Sequence, residues 1–211
     1  MDKAATAYTV HQLLDELYPG KLGFLTYHSP YELLISVILS AQTTDKQVNQ
    51  INGNLFRTYP KPADLAGADQ LDVEKIIKST GFFHAKAKNI IGAGKVIHNE
   101  FADEIPNSIK SLLRIPGVGR KSANVILGAV YNKPAIIVDT HFGRVVRRIG
   151  LCETKNPDKV EQEISLLLEP EYQYRFSMTV NTHGRAVCNA RKPECQKCSL
   201  LPHCCQIGVI S

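Results

Sequence analysis

The sequence lacks any apolar segment long enough to cross a membrane. Its longest apolar run is LLISVIL at residues 33–39, far short of the roughly 20 residues that span a bilayer as a helix. The N-terminal stretch MDKAATAYTVHQLLDEL also lacks the apolar core of a signal peptide. We therefore expect a soluble, intracellular protein with no membrane partner.

Strand-like alternation is equally scarce. The β-branched stretch AIIV at 135–138 could form a strand, but no partner with a period of two residues is evident. We interpret it as an extended entry into a helix, HFGRVVRRIG, that Gly150 ends. Asp139 or Thr140 is then the N-cap.

Helical periodicity dominates the rest of the chain, and 44% hydrophobic residues over 211 positions suffice for one large or two small cores. Apolar stripes recur at residues 13–17 and 33–38. Further helices are predicted at 45–58, 62–79, 85–101, 107–114, 121–131 and 156–168. The composition and pattern indicate an all-α protein.

Five of the six cysteines crowd into residues 188–205, whereas Cys152 stands alone. An intracellular chain favours reduced thiols over disulfides. Zinc sites with four cysteines usually pair two short C-x2-4-C hooks, and only one such hook is present. With Cys204 as the last ligand the spacing is C-x6-C-x2-C-x5-C, whose wide arms would also fit an iron–sulfur cluster. Spacing alone leaves zinc and iron open, and Cys205 is an alternative ligand.

The stretch LLRIPGVGRKSANVILG at 112–128 predicts a tight turn between two helices. Bare amides in such a turn, beside the positive end of a helix, suit a phosphate, although GxG turns also serve as plain connections. Lys121 falls at that positive end, where a cation is disfavoured. This position, together with burial, would favour the neutral amine, a nucleophile able to form a Schiff base.

Three motifs in order, LRIPGVGRKSANVIL, VDTHFGRV and C-x6-C-x2-C-x5-C, resemble the endonuclease III family of DNA glycosylases with AP lyase activity. LLISVILSAQTTD and GFFHAKAKNI extend the resemblance over most of the chain. It implies an all-α, two-domain helix-hairpin-helix fold with a C-terminal iron–sulfur loop. One domain, 22–132, would be a six-helix barrel carrying the hairpin at about 107–131; the other would join 1–21 to 133–211.

The same resemblance implies the chemistry. The enzyme would bind damaged double-stranded DNA, flip the nucleotide into a cleft between the domains, and remove an oxidised or ring-saturated pyrimidine. We expect it to act as a cytoplasmic monomer, associated with the nucleoid if the source is prokaryotic. Lys121 would be the attacking amine and Asp139 the carboxylate that stabilises positive charge on the sugar. β-Elimination through the lysine Schiff base would cut the strand 3′ to the abasic site. A 4Fe-4S cluster would be held by four of the cysteines, namely Cys188, Cys195, Cys198 and Cys204.

DNA contacts are also implied. Gln42 would fill the hole left by the flipped base, and Phe82 matches a second wedge position where the family often carries an aliphatic residue, so Phe82 and Phe83 both stay open. Without the family, Gln42 would be a solvated helix-end residue and Phe82 a core aromatic. The full set of implied DNA contacts is Gln42, Phe82, Pro116, Gly117, Val118, Gly119, Arg120, His141, Arg191 and Lys192. Weaker candidates for the damaged-base pocket are Ser40 and Asp45.

Charge distribution favours a polyanion partner despite a formal net charge of only +5. Basic residues gather at the turn, on the 141–150 helix and around the cysteines: Arg114, Arg120, Lys121, Arg144, Arg147, Arg148, Arg185, Arg191, Lys192 and Lys197. The alternative is that these residues only provide surface charge that keeps the protein soluble.

Other members of the superfamily fit less well. Adenine glycosylases lack the lysine at 121 and carry glutamate where this chain has Ser36. Thymine-mismatch glycosylases put tyrosine at the lysine position. Two other classes stay open: a DNA-binding module without catalysis, and an electron carrier that uses only the cluster.

Overall fold

The computed structural model describes residues 2–20 and 22–209, and within them all regular structure is helical. Three short 3-10 turns lie at Lys78–Thr80, Cys195–Lys197 and Leu201–His203. The eleven α-helices are α1 Lys3–Leu17, α2 Pro30–Leu39, α3 Asp45–Thr58, α4 Pro62–Ala66, α5 Gln70–Ile77, α6 Phe83–Phe101, α7 Ile109–Leu112, α8 Arg120–Tyr131, α9 Thr140–Ile149, α10 Pro157–Ser165 and α11 Pro170–Ala186. No helix among these residues is long and apolar enough to span a membrane.

The chain forms two compact units. One consists of Gly23–Tyr131, and the other joins Met1–Leu22 to Asn132–Ser211. Each unit has its own hydrophobic core, as expected for separately packed helical domains.

In the Gly23–Tyr131 unit, α2 is the central helix. Its residues 33–39 are all buried, which explains their unbroken apolar run. Helix α6 packs closely on α4, because a Cβ added to Gly94 would lie 2.9 Å from the main-chain nitrogen of Ala66. Glycine at this position therefore lets two helix backbones approach.

In the other unit, α1, α9 and α11 pack around a pair of buried aromatic rings. The rings of Phe142 and Phe176 meet edge to face, with their centroids 5.9 Å apart. A Cβ on Gly184 would lie 3.0 Å from the Cβ of His141, so α9 and α11 also approach closely. These contacts fix the two helices that carry several of the predicted site residues.

Most sequence-based helix predictions are confirmed, including 45–58 at both ends. The prediction of one helix over 62–79 is wrong. The chain breaks after Ala66, because the Asp69 carboxylate accepts hydrogen bonds from the main-chain N–H groups of Leu71 and Asp72 and starts α5 as a new helix. Residues 135–138 are extended, as predicted. Asp139 is the N-cap of α9, and Gly150, with a φ of 96°, ends it.

Candidate functional site

The turn between α7 and α8 is packed against its own unit. Gly117 has a φ of 81°, and a Cβ there would lie 2.8 Å from Cγ2 of Ile38 and 3.2 Å from Cβ of Asn89. Both the backbone conformation and the available space therefore require glycine. Val118 is buried and its N–H donates to the Ile115 carbonyl at 3.1 Å. The turn is thus held rigidly, with Pro116 lying against α6 at Gly92.

Arg120 and Lys121 are the first two residues of α8, and both are exposed. No acidic residue lies in the first turn of this helix. The N–H groups of a first turn have no partners within the helix, so this end attracts anions. The expectation that Lys121 is buried is wrong, because its side chain lies in solvent. Its amine is therefore accessible to a large substrate.

Asp139 has hydrogen-bond donors at both carboxylate oxygens. Its Oδ1 accepts from the N–H of Phe142 at 2.7 Å, which is the N-cap bond of α9. Its Oδ2 accepts from Nδ2 of Asn181 on α11. Oδ1 of Asn181 in turn accepts from Nε of Arg185 at 2.9 Å. An Arg185–Asn181–Asp139 chain therefore orients the carboxylate, and sequence reasoning did not identify Asn181 as part of the site.

His141 lies two residues further along the same helix. Its side chain is partly buried, and its Nδ1 lies 3.2 Å from Nη2 of Arg144. Arg144 also donates from Nη2 to the Gly184 carbonyl at 2.7 Å. Through Arg144, His141 is held close to α11, at the end of α9 that Asp139 caps.

Gln42 and Phe82, the two predicted wedge residues, share two features. Both have left-handed backbones, with φ of 53° and 48° respectively. Both are exposed, Phe82 to 70%, so the alternative of a core aromatic is wrong for Phe82. Phe83, by contrast, is partly buried and packs against the core. Non-glycine residues in this strained conformation cluster at functional sites.

The segments of Gln42 and Phe82 are joined. Thr43 Oγ1 donates a hydrogen bond to the Thr80 carbonyl. Ser40 and Asp45 flank Gln42: Ser40 ends α2, its Oγ donating to the Val37 carbonyl at 2.8 Å, and Asp45 begins α3. The structure therefore brings both weak pocket candidates to the segment of Gln42.

All six cysteines are unpaired, so there is no disulfide. Cys188, Cys195, Cys198 and Cys204 line one pocket together with residues of the same loop and of α9. Yet among the described residues no three His, Cys, Asp or Glu side chains converge closely enough to hold a single metal ion. The four sulfurs share one pocket, and four cysteine ligands are the usual set for an iron–sulfur cluster.

Buried donors surround the cysteine sulfurs. Arg148, only 7% exposed, donates from Nη1 to Cys188 Sγ at 3.3 Å and to the Asn189 carbonyl at 2.7 Å. Nε2 of His183, 1% exposed, lies 3.3 Å from Cys198 Sγ. The N–H of Gln206 donates to Cys204 Sγ at 3.4 Å. Such donors are typical around thiolates that bind metal clusters.

Burial changes the acidity of this cluster of side chains. It raises the pKa of the Cys198 and Cys204 thiols above the ordinary value, although main-chain N–H donors act in the opposite direction. It lowers the pKa of His183 to about 4. His183 is therefore neutral at physiological pH, and the two thiols hold their protons more strongly than ordinary thiols do.

Arg191 and Lys192 are exposed on the loop between Cys188 and Cys195. The arginines of α9 are different. Arg148 is buried against the cysteine loop, and Arg144 donates from Nε to the Cys188 carbonyl at 3.0 Å. Arg148 therefore adds to the number of basic residues on this helix but not to its exposed basic surface. Lys121 and Asp139 belong to different units.

Residues 35–170 match the family model described as HhH-GPD superfamily base excision DNA repair protein. The fold and the glycine-bearing hairpin define this class of protein. Endonuclease III of Synechocystis sp. is 43% identical over 204 residues, covering 96% of this chain and 93% of that protein. Endonuclease III of Escherichia coli K12 is 37% identical over 191 residues, covering 90% of each. The chain therefore belongs to the endonuclease III family.

Solved structures agree. The chain is similar to a structure described as a non-covalent endonuclease III–DNA complex, with a TM-score of 0.90, 33% identity and coverage of 97% of this chain and 95% of that one. A trapped endonuclease III–DNA covalent intermediate has the same TM-score and identity, with coverage of 95% of each chain.

Proposed function

We propose that this chain is a base excision repair DNA glycosylase with associated AP lyase activity. It removes oxidised or ring-saturated pyrimidines from duplex DNA and cuts the strand 3′ to the resulting abasic site. The observation that carries the proposal is the accessible amine of Lys121, placed on the first turn of α8 directly after the Ile115–Gly119 turn. Its membership of the endonuclease III family, and a trapped covalent DNA intermediate of a relative, support this.

Lys121 is the nucleophile. Its neutral amine attacks C1′ of the damaged nucleotide, and the base departs with the electrons of the glycosidic bond and takes up a proton. Loss of a proton from the attacking nitrogen and opening of the sugar then give a Schiff base between C1′ and Nζ.

Asp139 stabilises the charge that builds on the sugar as the glycosidic bond breaks. Its carboxylate is held by the N–H of Phe142 and by the Asn181 amide, so its orientation is set before DNA binds. The N-cap role uses Oδ1 and the electrostatic role uses the charge of the whole carboxylate, so the two roles coexist.

Strand cleavage follows from the Schiff base. The imine acidifies the proton on C2′. Removal of that proton leaves an electron pair that forms the C1′–C2′ enamine. The enamine then expels the 3′ phosphate as the C3′–O bond breaks. Water then hydrolyses the remaining imine and returns Lys121 as a free amine. The chemistry needs no external oxidant or reductant.

The remaining predicted residues bind DNA. The N–H groups of the turn and of the first turn of α8 receive a backbone phosphate, with Pro116, Gly117, Val118, Gly119 and Arg120 forming that surface. His141, Arg191 and Lys192 provide further contacts. Gln42 fills the hole left by the extruded nucleotide and Phe82 wedges beside it, offsetting a flipping cost of a few kcal/mol. Ser40 and Asp45 line the pocket for the damaged base.

Cys188, Cys195, Cys198 and Cys204 hold a 4Fe-4S cluster. The shared pocket and the contacts of Arg148 and His183 with the sulfurs support this assignment. Membership of the endonuclease III family favours it over a single zinc ion. When bound, the cluster cross-links the loop through four thiolates and so orders the segment that carries Arg191 and Lys192. Iron and inorganic sulfide contents of about four each per chain support the cluster; one zinc per chain without sulfide would refute it.

The two units are the two domains of this fold, with the boundaries near residues 22 and 132. We propose that the protein acts on damaged chromosomal DNA as a monomer, in the cytoplasm or at the nucleoid.

Reductive trapping tests the proposed function. The protein is mixed with duplex DNA that holds an oxidised pyrimidine, and borohydride is added to fix any Schiff base as a covalent band. Wild type and Lys159→Ala should give the band, whereas Lys121→Ala should not; Lys159 is also an exposed lysine in the first turn of a helix, α10. Intact duplex binding with no band from wild type would favour a binding module. If the wild-type protein neither incises nor binds duplex DNA, the electron-carrier hypothesis is the one that remains.

A further inference from the structure

Lys86 is a buried lysine that the chemistry above does not use. Its side chain is 5% exposed, and it is the fourth residue of α6, near the positive end of that helix. Burial lowers the pKa of its ammonium group. Burial and the helix dipole both disfavour a cation here. A hydrophobic side chain of similar length would be better suited to packing alone.

The polar contacts of Lys86 lie on the two segments described above. Its Nζ donates to the Thr80 carbonyl at 2.8 Å and also to Oγ1 of Thr43. Its main-chain N–H donates to the Phe82 carbonyl at 3.0 Å. One residue therefore contacts the segment of Gln42 through Thr43, and the segment of Phe82 through two carbonyls.

Those segments present Gln42 and Phe82 to solvent in strained conformations. Thr43 directly follows Gln42, and Thr80 precedes Phe82 by two residues. A left-handed backbone at a non-glycine residue persists only where its surroundings hold it. A second tie, Nε2 of Gln47 to Oγ of Ser79 at 2.7 Å, lies at the solvent-exposed side of the same junction.

We propose that Lys86 is a positioning residue that fixes the Gln42 and Phe82 segments to one another, so that both side chains enter the duplex as a unit when a nucleotide is extruded. The inference rests on the proposed function. Holding both segments before DNA binds removes the entropy cost of ordering them on the duplex. A small displacement of either segment would slow extrusion of the nucleotide, because the hydrogen bonds of Lys86 set the positions from which Gln42 and Phe82 enter the duplex.

Lys86→Met tests the proposal, because methionine keeps the length and flexibility of the side chain but removes its donors. The Thr43–Thr80 hydrogen bond remains, so both partners stay satisfied. Lys88→Met is the matched control, since Lys88 lies on the same helix but is exposed. The readouts are single-turnover excision of dihydrouracil from a duplex, and the fluorescence of a 2-aminopurine beside the lesion, which rises when the stack opens.

We expect Lys86→Met to slow excision about tenfold and to reduce the fluorescence rise. The rate of reductive trapping on a preformed abasic site should change by less than about twofold. The thermal midpoint should change by less than about 3 °C. Lys88→Met should behave as wild type. In a Phe82→Ala background the effect of Lys86→Met should shrink, because both act through one wedge.

Equal excision and fluorescence for Lys86→Met and Lys88→Met would overturn the proposal. So would a loss for Lys86→Met that is equal on lesion and abasic DNA and is accompanied by a lower thermal midpoint, since that pattern marks a purely structural residue. If wild type excises nothing, the proposed function fails instead. The fluorescence comparison of the two variants still tests the role of Lys86 in opening the stack.

Discussion

Asp139 is the N-cap of α9 and has a proposed catalytic role, and two substitutions separate the two roles. Asp139→Ala removes the N-cap of α9, at a cost of about 1 kcal/mol. It also leaves the Asn181 amide without its acceptor, at a cost of about 1–3 kcal/mol. Asp139→Asn keeps an oxygen for the Phe142 N–H and so keeps the cap, but its amide nitrogen then faces the Asn181 donor.

The two variants should therefore differ in stability by the cap alone, about 1 kcal/mol. For a chain of this length that corresponds to about 2–4 °C in the thermal midpoint, with Asp139→Ala the lower. Excision should not follow this order. Both variants lack the carboxylate charge, so both should lose at least about a hundredfold in single-turnover excision. Asp69→Ala is the control for loss of a cap: it removes the N-cap of α5, should lower stability by about 1 kcal/mol, and should keep excision.

The measurements are calorimetry or circular dichroism for stability, and single-turnover excision together with borohydride trapping on a preformed abasic site. Trapping should survive in Asp139→Asn, because Lys121 supplies the amine and the base is already gone. Excision retained by Asp139→Asn but lost by Asp139→Ala would refute the electrostatic role and leave Asp139 as a cap only.

Three further predictions concern the turn, a buried thiol and the DNA surface. Gly117→Ala should lower the stability of the protein by about 2–4 kcal/mol, because it combines a left-handed backbone with a 2.8 Å approach to Ile38; Gly119→Ala, with no atom within 4 Å, should change the thermal midpoint little. Burial raises the pKa of Cys152 to about 11, so at pH 8 only about one thiol in a thousand is ionised. Iodoacetamide should therefore modify exposed Cys205 and spare Cys152, as checked by mass spectrometry. Modification of Cys152 as fast as that of Cys205 would contradict this reasoning. Arg191→Ala and Lys192→Ala should each reduce the slope of log binding constant against log salt by about 1; an unchanged slope would remove these residues from the phosphate contacts.

The sequence specifies most helices because their apolar stripes and caps are local. The break after Ala66 was not predicted, because the apolar pattern continues across it and the Asp69 cap decides the boundary. Short α7 was predicted too long for a similar reason: Ser108 caps it late and the turn begins early. The position of Lys121 at a helix start and the crowding of cysteines at 188–205 are already visible in the sequence, because both are local features. Spacing left Cys204 and Cys205 open, and only Cys204 lines the pocket with the other three.

Asn181 and Lys86 could not be found in that way. Asn181 meets Asp139 across 42 positions, and Lys86 meets Thr43 across 43. Asn181 has one local signal, its spacing of four from Arg185 on α11, but that spacing does not reveal which carboxylate its amide faces. Such residues support the site through tertiary contacts, which only the packed structure supplies.

Charge shows the same difference between local pattern and tertiary role. The basic residues counted on α9 include Arg148, yet its guanidinium is buried and donates to Cys188 Sγ and to the Asn189 carbonyl. A buried arginine with these partners binds no phosphate and instead anchors the cysteine loop to α9. The loop then presents Arg191 and Lys192, which are exposed. The basic surface available to DNA is therefore smaller than the sequence indicates, and its position depends on an arginine that does not belong to it.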